Sequence, residues 1–404
     1  MKGQNRLFVL EYVFKYCFPD RETDMKLIKT NTILLASLLL TITGCQLVEK
    51  RPYKPDLSGI SHVIKEEIKQ GNIPGVVVLI GQANKVLYWK AFGHEVNEPF
   101  QEQMTKDTIF DLASLTKPVA TATSILILAD EGKIDPCDYA GKYLPAFACN
   151  GKEEVRIRHL LTHTSGLPAY TNADELKIAF GTPCPDKVID KICNMKAMSK
   201  PGEEFRYSCL GYITLARIVE IVSGENIDDF TRENIFAPLR IKHTSYNPPA
   251  YRKKDIAATQ IVDGQLLRGT VHDPLARLMG GISGNAGLFS TAYDLSIYCR
   301  MLLNSGTLKG KKILSTKAVS LLTTAQSYSR AYGFDVDSSY SWVKGSFAPE
   351  NAFCHTGYTG TSIVCDPSSK VYVIILTNRA HPHDKGTSRH IRKKIADIVF
   401  QAYK

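Results

Sequence analysis

The strongest constraint on the fold of this chain comes from the patterns of apolar residues at its two ends. Apolar residues recur at helical spacing over residues 57–68, and two apolar runs, 76–80 and 86–92, lie on either side of a polar turn. Near the carboxyl end, the continuous apolar run 371–376 is typical of a buried strand, and residues 391–399 return to helical spacing. Because a sheet buries its apolar face against other elements, both terminal helices are expected to pack on one antiparallel sheet. The sequence therefore predicts an α+β fold.

The middle of the chain, residues 118–304, is predicted to be a mostly helical insertion within one domain that spans residues 56–404. Of all residues, 44% are hydrophobic and 22% are charged, which excludes a disordered, collagen-like or coiled-coil chain. The 50 Lys and Arg exceed the 40 Asp and Glu, but the basic residues are scattered along the chain, so no nucleic-acid partner is expected. The cleft between the sheet and the insertion is the expected functional site.

The first 44 residues are predicted to be a leader that contains a secretory signal. A basic start at Met25 precedes the apolar stretch 33–42, which is too short to span a membrane as a helix. Residues 1–24 carry acidic side chains that do not suit a signal. Translation is therefore expected to begin at Met25.

Small residues directly precede Cys45, an arrangement that resembles a bacterial lipoprotein signal. The resemblance implies that Cys45 becomes the mature amino terminus and carries a lipid, with residues 45–55 as the anchor and polar tether. A signal that is cleaved elsewhere, or a core helix, is the alternative. We therefore expect an exported, membrane-anchored lipoprotein that faces the periplasm or cell envelope.

One short segment has the arrangement of an activated nucleophile. Ser114 and Lys117 lie three positions apart, before the apolar and small residues 119–129. If this turn is helical, both side chains share a face and the lysine amine can reach the serine hydroxyl. A lysine accepts a proton only when it is neutral, and burial with nearby positive charge lowers its pKa. Ser341 and Lys344 show the same spacing in an aromatic, strand-like stretch without a following helix, and this second pair is interpreted as structural.

Further motifs follow Ser114 in a fixed order. They are the segment 156–168, Tyr207 with Cys209 two residues later at the start of an apolar helix, and His355-Thr356-Gly357. Together these motifs resemble the serine β-lactamase and penicillin-binding protein superfamily. Within it they resemble the class C-like branch, which contains lactamases, D-Ala-D-Ala carboxypeptidases, esterases and aminohydrolases. The resemblance extends over nearly all of the chain after the tether and implies a β-lactamase/transpeptidase-like fold.

The resemblance also implies a role for each motif residue. Ser114 would be the acylated nucleophile, Lys117 its partner and Tyr207 a second acid/base group. The backbone N–H groups of Ser114 and Tyr358 would form the oxyanion hole, in which each preorganised donor typically contributes about 3 to 4 kcal/mol. His355 would orient the substrate.

Two positions depart from the pattern of that branch. Cys209 stands where relatives usually have Asn or Asp, and a thiol is a poorer hydrogen-bond partner for a substrate amide or for Lys117. His355 replaces the Lys of many relatives, and an unperturbed imidazole is mostly neutral at pH 7. Thr356 and Gly357 keep the pattern and are expected to bind substrate in the cleft. Both departures favour esters or substrates without a carboxylate.

The other histidines are assigned no catalytic role. His159 and His163 lie four residues apart, as zinc ligands on a helix do, but no Glu follows His159, so neither a metal nor another cofactor is expected. His381 and His383 are interpreted as residues of a surface loop. No Gly-x-Ser-x-Gly motif occurs in the chain, which argues against an α/β-hydrolase.

These observations predict a lipid-anchored serine hydrolase that forms an acyl-enzyme on Ser114. Its expected substrate is a D-Ala-type peptide, such as a peptidoglycan stem peptide, a β-lactam or an ester. One alternative is a penicillin-binding sensor or decoy that is acylated without turnover, and another is a carboxylesterase for non-peptide substrates. A catalytically inactive scaffold is the remaining possibility if Cys209 blocks the cleft.

Overall fold

The computed structural model of the protein describes residues 55–404, whose largest sheet is antiparallel and has six strands. The strands, in chain order, are β1 (Gly75–Gln82), β2 (Lys85–Val96), β3 (Glu102–Gln103), β4 (Phe110–Asp111), β5 (Ser245–Tyr246), β6 (Gln260–Val262), β7 (Gln265–Leu267), β8 (Leu288–Ser290), β9 (Thr307–Leu308), β10 (Lys311–Lys312), β11 (Phe353–Thr356), β12 (Ser362–Asp366) and β13 (Val371–Thr377). The central sheet has the order β11-β12-β13-β1-β2-β3, and smaller sheets pair β4-β8-β5, β6-β7 and β9-β10.

Helices cover both faces of the sheet. In chain order they are α1 (Gly59–Lys69), α2 (Thr123–Asp130), α3 (Ala140–Tyr143), α4 (Ile157–Leu161), α5 (Ala173–Phe180), α6 (Pro185–Asn194), α7 (Cys209–Ser223), α8 (Ile227–Thr231), α9 (Pro274–Leu278), α10 (Ala292–Leu303), α11 (Thr316–Thr323) and α12 (Arg389–Gln401). Short 3-10 and π-helical turns extend several of them.

The first face of the sheet packs against the two terminal helices. Successive side chains of a strand point to opposite faces, so alternate residues of β1 and β13 are buried on this side. Val78 and Val373 lie in one buried cluster with Ile60 and Ile64 of α1 and Ile395 of α12. Each fully buried aliphatic side chain contributes roughly 1.5 to 3 kcal/mol. The predicted α+β fold with both terminal helices on one sheet is therefore confirmed.

The second face of the sheet packs against α10 and the helical part of the chain. Val77 and Leu79 of β1 and Leu376 of β13 join the larger core together with Leu295 and Tyr298 of α10. The predicted insertion, residues 118–304, contains α2 to α10 and β5 to β8. Because α10 contacts β1 and β13 directly, this last helix of the insertion packs on the second face of the central sheet.

The second Ser-x-x-Lys segment differs from the expected strand. Ser341–Lys344 forms a 3-10 turn instead, and Lys344 is buried. Its amine donates hydrogen bonds to the carbonyl oxygens of Val336, Glu350 and Ala352. Lys344 therefore stabilises the loop before β11, which agrees with the interpretation of this Ser-x-x-Lys pair as structural.

Several predictions fall on residues 1–54, which lie outside the described part of the chain. These are the leader, the start at Met25, lipid attachment at Cys45 and most of the tether, and they stay predictions. Within residues 55–404, no helix combines the length and the apolar character that crossing a membrane demands. The eight cysteines of this part are free thiols.

Candidate active site

The segment from Asp111 to Ser114 forms a tight turn. Ala113 has a left-handed backbone with φ of +46°, which is unfavourable for a residue with a side chain. The buried Asp111 carboxylate stabilises this turn, because its Oδ1 accepts a hydrogen bond from the Ala113 amide at 2.8 Å. Its Oδ2 accepts one from the His272 amide at 2.7 Å. Burial raises the pKa of Asp111 to about 6, although these two backbone donors oppose the rise.

Lys117 follows within one turn, and its side chain is fully buried. Its Nζ donates hydrogen bonds to Ser114 Oγ at 3.0 Å and to the carbonyl oxygen of Asn285 at 2.9 Å. Cys209 Sγ lies 3.5 Å from the same amine. The amine therefore reaches the hydroxyl, through a 3-10 turn that continues into the π-helical turn Lys117–Ala122.

Two opposing effects determine the protonation of Lys117. Burial lowers its pKa, whereas the negative charges that Cys209, Tyr207 and Asp273 can carry raise it, and the net shift is upward. Lys117 is therefore an ammonium at neutral pH in the free protein, which makes it a hydrogen-bond donor to Ser114. This differs from the lowered pKa expected from the sequence, because acidic groups surround the amine.

Tyr207 places its phenol beside these groups. Burial raises the pKa of Tyr207, while the charge of Lys117 and a hydrogen bond with Ser114 act in the opposite direction. The Lys117 amine lies 5.1 Å from the centroid of the Tyr207 ring. The ring stacks on His163 at a centroid distance of 4.3 Å and contacts the Tyr340 ring at 5.2 Å. These contacts hold the phenol in place.

The first turn of α7 determines where Tyr207 and Cys209 lie. Ser208 caps this helix with its side chain, and its Oγ also donates to the Pro168 carbonyl oxygen at 2.6 Å. The Ser208 amide donates to His163 Nδ1 at 3.0 Å. Burial holds the pKa of His163 well below its usual range, so the imidazole is neutral and can accept this bond.

The turn between β11 and β12 is fastened to the segment before Ser114. Thr359 Oγ1 donates to the Asp111 carbonyl oxygen at 2.7 Å, and Thr361 Oγ1 donates to the Leu112 carbonyl oxygen at 2.9 Å. A Cβ at Gly357 would lie 2.1 Å from Thr361 Oγ1 and 2.3 Å from the Leu112 oxygen. Only glycine allows this close approach.

His355 lies near the end of β11 and is buried. Its Nδ1 donates to the Thr356 carbonyl oxygen at 3.0 Å, while its Nε2 has no hydrogen-bond partner within residues 55–404. Burial, together with the charges of Arg330 and Lys117, holds the pKa of His355 well below its usual range. The imidazole is therefore neutral at pH 7 and offers Nε2 as a hydrogen-bond acceptor.

A cavity of about 320 Å³ opens over these groups. Its lining includes the predicted residues Ser114, Tyr207, His355, Thr356, Gly357 and Tyr358. Lys117 and Cys209 lie beneath Ser114, in contact with each other. The structure thus brings all of the predicted catalytic, oxyanion and substrate-binding residues together at one place.

One wall of this cavity is positively charged. It includes Arg379 and Arg389, and Arg389 begins α12, so the partial positive charge of the helix amino end adds to the wall. Arg379 Nη1 donates to Asp384 at 2.8 Å. Arg392 also lines the cavity, and burial together with Arg379 lowers its pKa to about 9, which still leaves it charged at pH 7.

Sequence reasoning did not identify several of these residues. Asp111 and Asn285 contact the nucleophile turn and Lys117, but sequence reasoning gives neither residue a role. Sequence reasoning likewise assigns no site role to Arg379 or Arg392. Their approach to Ser114 depends on long-range packing.

The remaining histidines have structural partners. His159 Nδ1 accepts a hydrogen bond from the Arg156 amide at 3.1 Å. In the described part of the chain, no group of three or more His, Cys, Asp or Glu side chains could hold a metal ion. The interpretation of His381 as a surface residue is wrong, since its side chain is buried and its Nε2 accepts hydrogen bonds from the amides of Asn97 and Glu98.

Comparison with known sequences extends over most of the chain. The beta-lactamase family profile matches residues 60–397. An N-acetylmuramyl-L-alanine amidase of Bacillus subtilis (strain 168) is 30% identical over 87% of this chain and 92% of its own length. A protein of Escherichia coli (strain K12) that bears the name "Putative D-alanyl-D-alanine carboxypeptidase" is 31% identical over 80% of this chain and 82% of its own length.

Solved structures share the architecture. EstCE1, described as a hydrolase with promiscuous acyltransferase activity, superposes with a TM-score of 0.69 at 22% identity, over 85% of this chain and 98% of its own. The octameric penicillin-binding protein homologue from Pyrococcus abyssi has a TM-score of 0.69 at 25% identity, over 86% of this chain and 78% of its own. The arrangement of sheet and helices is therefore a shared fold.

Proposed function

The chain belongs to the beta-lactamase family and is a serine hydrolase, and from this premise we propose that it works through an acyl-enzyme on Ser114. The observation that carries the proposal is the 3.0 Å hydrogen bond from Lys117 Nζ to Ser114 Oγ at the base of the cavity. Tyr207 lies beside both groups and can exchange a proton with Ser114.

Acylation starts from the form of the site in which Tyr207 has lost its proton and Lys117 has kept its own. Ser114 Oγ attacks the carbonyl carbon while its proton passes to the Tyr207 oxygen, and the Lys117 ammonium stabilises the resulting charge. The backbone N–H groups of Ser114 and Tyr358 bind the oxyanion. Tyr207 then protonates the leaving group as its bond to the carbonyl carbon breaks.

Deacylation reverses these roles. A water molecule attacks the acyl carbonyl and gives its proton to Tyr207, and Ser114 Oγ leaves as it regains a proton. His355 offers its free Nε2 to a donor on the substrate, since the neutral imidazole has no charge with which to hold a carboxylate.

The charged wall of the cavity supports a substrate with a carboxylate near the scissile carbonyl. Arg379 and Arg389 supply the positive charge that the neutral His355 lacks. A peptide that ends in alanine and a β-lactam both carry such a carboxylate. The names of the Bacillus subtilis and Escherichia coli relatives refer to amide bonds beside an alanine. This supports a peptide as the substrate of the present protein.

Ester hydrolysis is the second candidate function. Cys209 favours it, because a thiol positions a substrate amide poorly and an ester has no N–H group to position. EstCE1 shows that the same fold is found in a hydrolase with acyltransferase activity.

The test is intact-mass spectrometry of the full chain mixed with a penicillin or with a fluorophosphonate. The wild-type protein is expected to gain one fluorophosphonate adduct on Ser114, and Ser114→Ala is expected to lose all labelling and turnover. A penicillin adduct that decays over time indicates hydrolysis, whereas a stable adduct indicates a sensor. Equal labelling of Ser114→Ala and wild type would rule out the mechanism.

We also propose that a lipid attached to Cys45 anchors the protein in the cell envelope. The support is the signal-like sequence before Cys45. The wild-type protein is expected in the membrane fraction, and Cys45→Ala is expected to lose the lipid mass and move to the soluble fraction. A Cys45→Ala protein with unchanged membrane association would contradict the anchor.

A further inference from the structure

Arg330 is a fully buried cation beside the active-site tyrosine. Its side chain is 0% exposed, and its guanidinium carbon lies 5.7 Å from the centroid of the Tyr207 ring and 5.6 Å from that of Phe205. Nη1 is paired with the Asp335 carboxylate. Nε and Nη2 have no hydrogen-bond acceptor within residues 55–404. A buried cation with too few hydrogen-bond acceptors destabilises the folded state, so we expect Arg330 to have a function at this position.

The groups around Tyr207 carry few positive charges. Those that face it are Ser114, Lys117, His163, Cys209, Tyr212, Arg330, Tyr340 and His355. Asp335 is paired with the Arg330 guanidinium. The two histidines among them are neutral, because burial holds the pKa of both well below the usual range. The positive charges beside the phenol are therefore those of Lys117 and Arg330.

The loop that holds Arg330 is fastened to the strand that carries His355. The Asp335 amide donates to the Cys354 carbonyl oxygen at 2.8 Å, and the Cys354 amide donates back to the Asp335 carbonyl oxygen at 2.9 Å. Ser338 Oγ donates to the Asp335 carboxylate as well. Asp335 itself lines the cavity. The guanidinium is thus held in one place relative to the active site.

We propose that Arg330 is a positioning residue of the acylation step, which supplies the positive charge that stabilises the Tyr207 phenolate as the phenolate accepts the proton of Ser114. The Ser114 O–H bond breaks, an O–H bond forms on Tyr207, and Ser114 Oγ bonds to the carbonyl carbon. Asp335 offsets part of the charge of Arg330 and fixes its position. This inference rests on the proposed function, since it assumes that Ser114 is the nucleophile.

The test is the rate at which a neutral fluorophosphonate labels Ser114 in the full chain between pH 6 and pH 10. Arg330→Met is expected to slow labelling about 10-fold at each pH in this range, since loss of a nearby cation disfavours the phenolate and moves its titration up by about one pH unit. Asp335→Asn removes the opposing negative charge, so its labelling is expected to be faster than that of the wild type in the same range. Arg330→Lys is expected to retain most of the rate.

A purely structural role makes different predictions. It predicts that Arg330→Met and Asp335→Asn both label more slowly than the wild type. It also predicts that the double variant recovers the wild-type rate, because it has no unpaired charge. We expect the double variant to stay slow while its urea midpoint stays at or above that of the wild type, because a buried ion pair is often replaceable without loss of stability. Recovery of the rate would overturn the inference.

A second buried ion pair provides the matched control. Arg268 and Glu95 are paired at 2.7 Å and do not line the cavity. The variant with Arg268→Met and Glu95→Gln is expected to keep the wild-type pH profile. A wild-type protein without label on Ser114 would overturn the proposed function, whereas normal wild-type labelling with an unchanged Arg330→Met profile would overturn this inference alone.

Discussion

At the scale of single residues, Cys209 is the site residue that we expect to limit the hydrolysis of amides. Its Sγ lies 3.5 Å from Lys117 Nζ, at the limit of a weak hydrogen bond. Burial raises the pKa of the Cys209 thiol, although Lys117 opposes the rise, so the group is an uncharged thiol at neutral pH. A thiol is a weak donor and a weak acceptor, whereas an asparagine offers a carbonyl oxygen to Lys117 and an N–H group to the substrate.

Replacing this thiol should therefore improve amide chemistry. Cys209→Asn is expected to raise kcat/KM for a penicillin or a D-Ala-D-Ala peptide about five- to ten-fold, the value of roughly one additional hydrogen bond. Ester turnover is expected to change little. Steady-state kinetics on both substrate classes measure the effect, with the exposed Cys137→Asn as control. Unchanged lactam and peptide kinetics would show that Cys209 does not limit specificity.

At the scale of secondary structure, the turn between β11 and β12 positions the Tyr358 amide, which we propose as an oxyanion donor. Thr359 and Thr361 fasten the turn to the segment before Ser114, and Gly357 leaves room for the contact. The amide of Tyr358 lies between these attachments, so its distance from Ser114 depends on the close approach of two backbones rather than on any one side chain.

A single methyl group in this turn should separate the two backbones. Gly357→Ala is expected to lower the labelling rate about 100-fold or more through loss of one oxyanion donor, and to destabilise the fold by about 1 to 3 kcal/mol. Time-resolved labelling and urea unfolding measure the two effects. Gly59→Ala is the control, since its Cβ would meet Ile398 at an ordinary 3.5 Å. Equal labelling rates in both variants would contradict this view of the turn.

At the scale of the whole molecule, buried neutral histidines make stability sensitive to acid. His381 follows β13 and is 3% exposed, and its Nε2 accepts hydrogen bonds from the Asn97 amide at 2.9 Å and the Glu98 amide at 3.2 Å. Burial lowers the pKa of His381 to about 4, from 6.5 in the unfolded chain. Below pH 6.5 the unfolded chain binds a proton that the folded protein does not, so the stabilisation present above pH 6.5 is lost as the pH falls towards 4.

His381→Asn should remove this part of the acid sensitivity. From pH 7 to pH 5, the free energy of unfolding of the variant is expected to fall by about 2 kcal/mol less than that of the wild type. The reason is that each pH unit below 6.5 costs the wild type about 1.4 kcal/mol through this histidine. Urea unfolding at both pH values measures this difference. The half-exposed His383 stays in contact with solvent, and His383→Asn is expected to follow the wild type. Parallel stability curves for wild type and His381→Asn would refute the role of His381.

What the sequence determined by itself is local in character. The apolar runs 76–80 and 371–376 predicted β1 and β13, because a strand buried on both faces is apolar throughout. The helical spacing at both ends predicted α1 and α12, because a helix that buries one face repeats about every 3.6 residues. The Ser114 and Lys117 spacing predicted their hydrogen bond for the same reason, since residues three apart on a helical turn are neighbours.

Only the tertiary structure decided the electrostatics of the site. The pKa of Lys117 is raised because the acidic groups of Cys209, Tyr207 and Asp273, which are distant in the chain, oppose the effect of burial. Arg330 reaches Tyr207, and Arg389 reaches the cavity over Ser114, through the packing of separate loops and helices. No periodic pattern encodes such contacts. A pKa depends on burial and on every nearby charge, and the folded chain brings these together from positions that are far apart in the sequence.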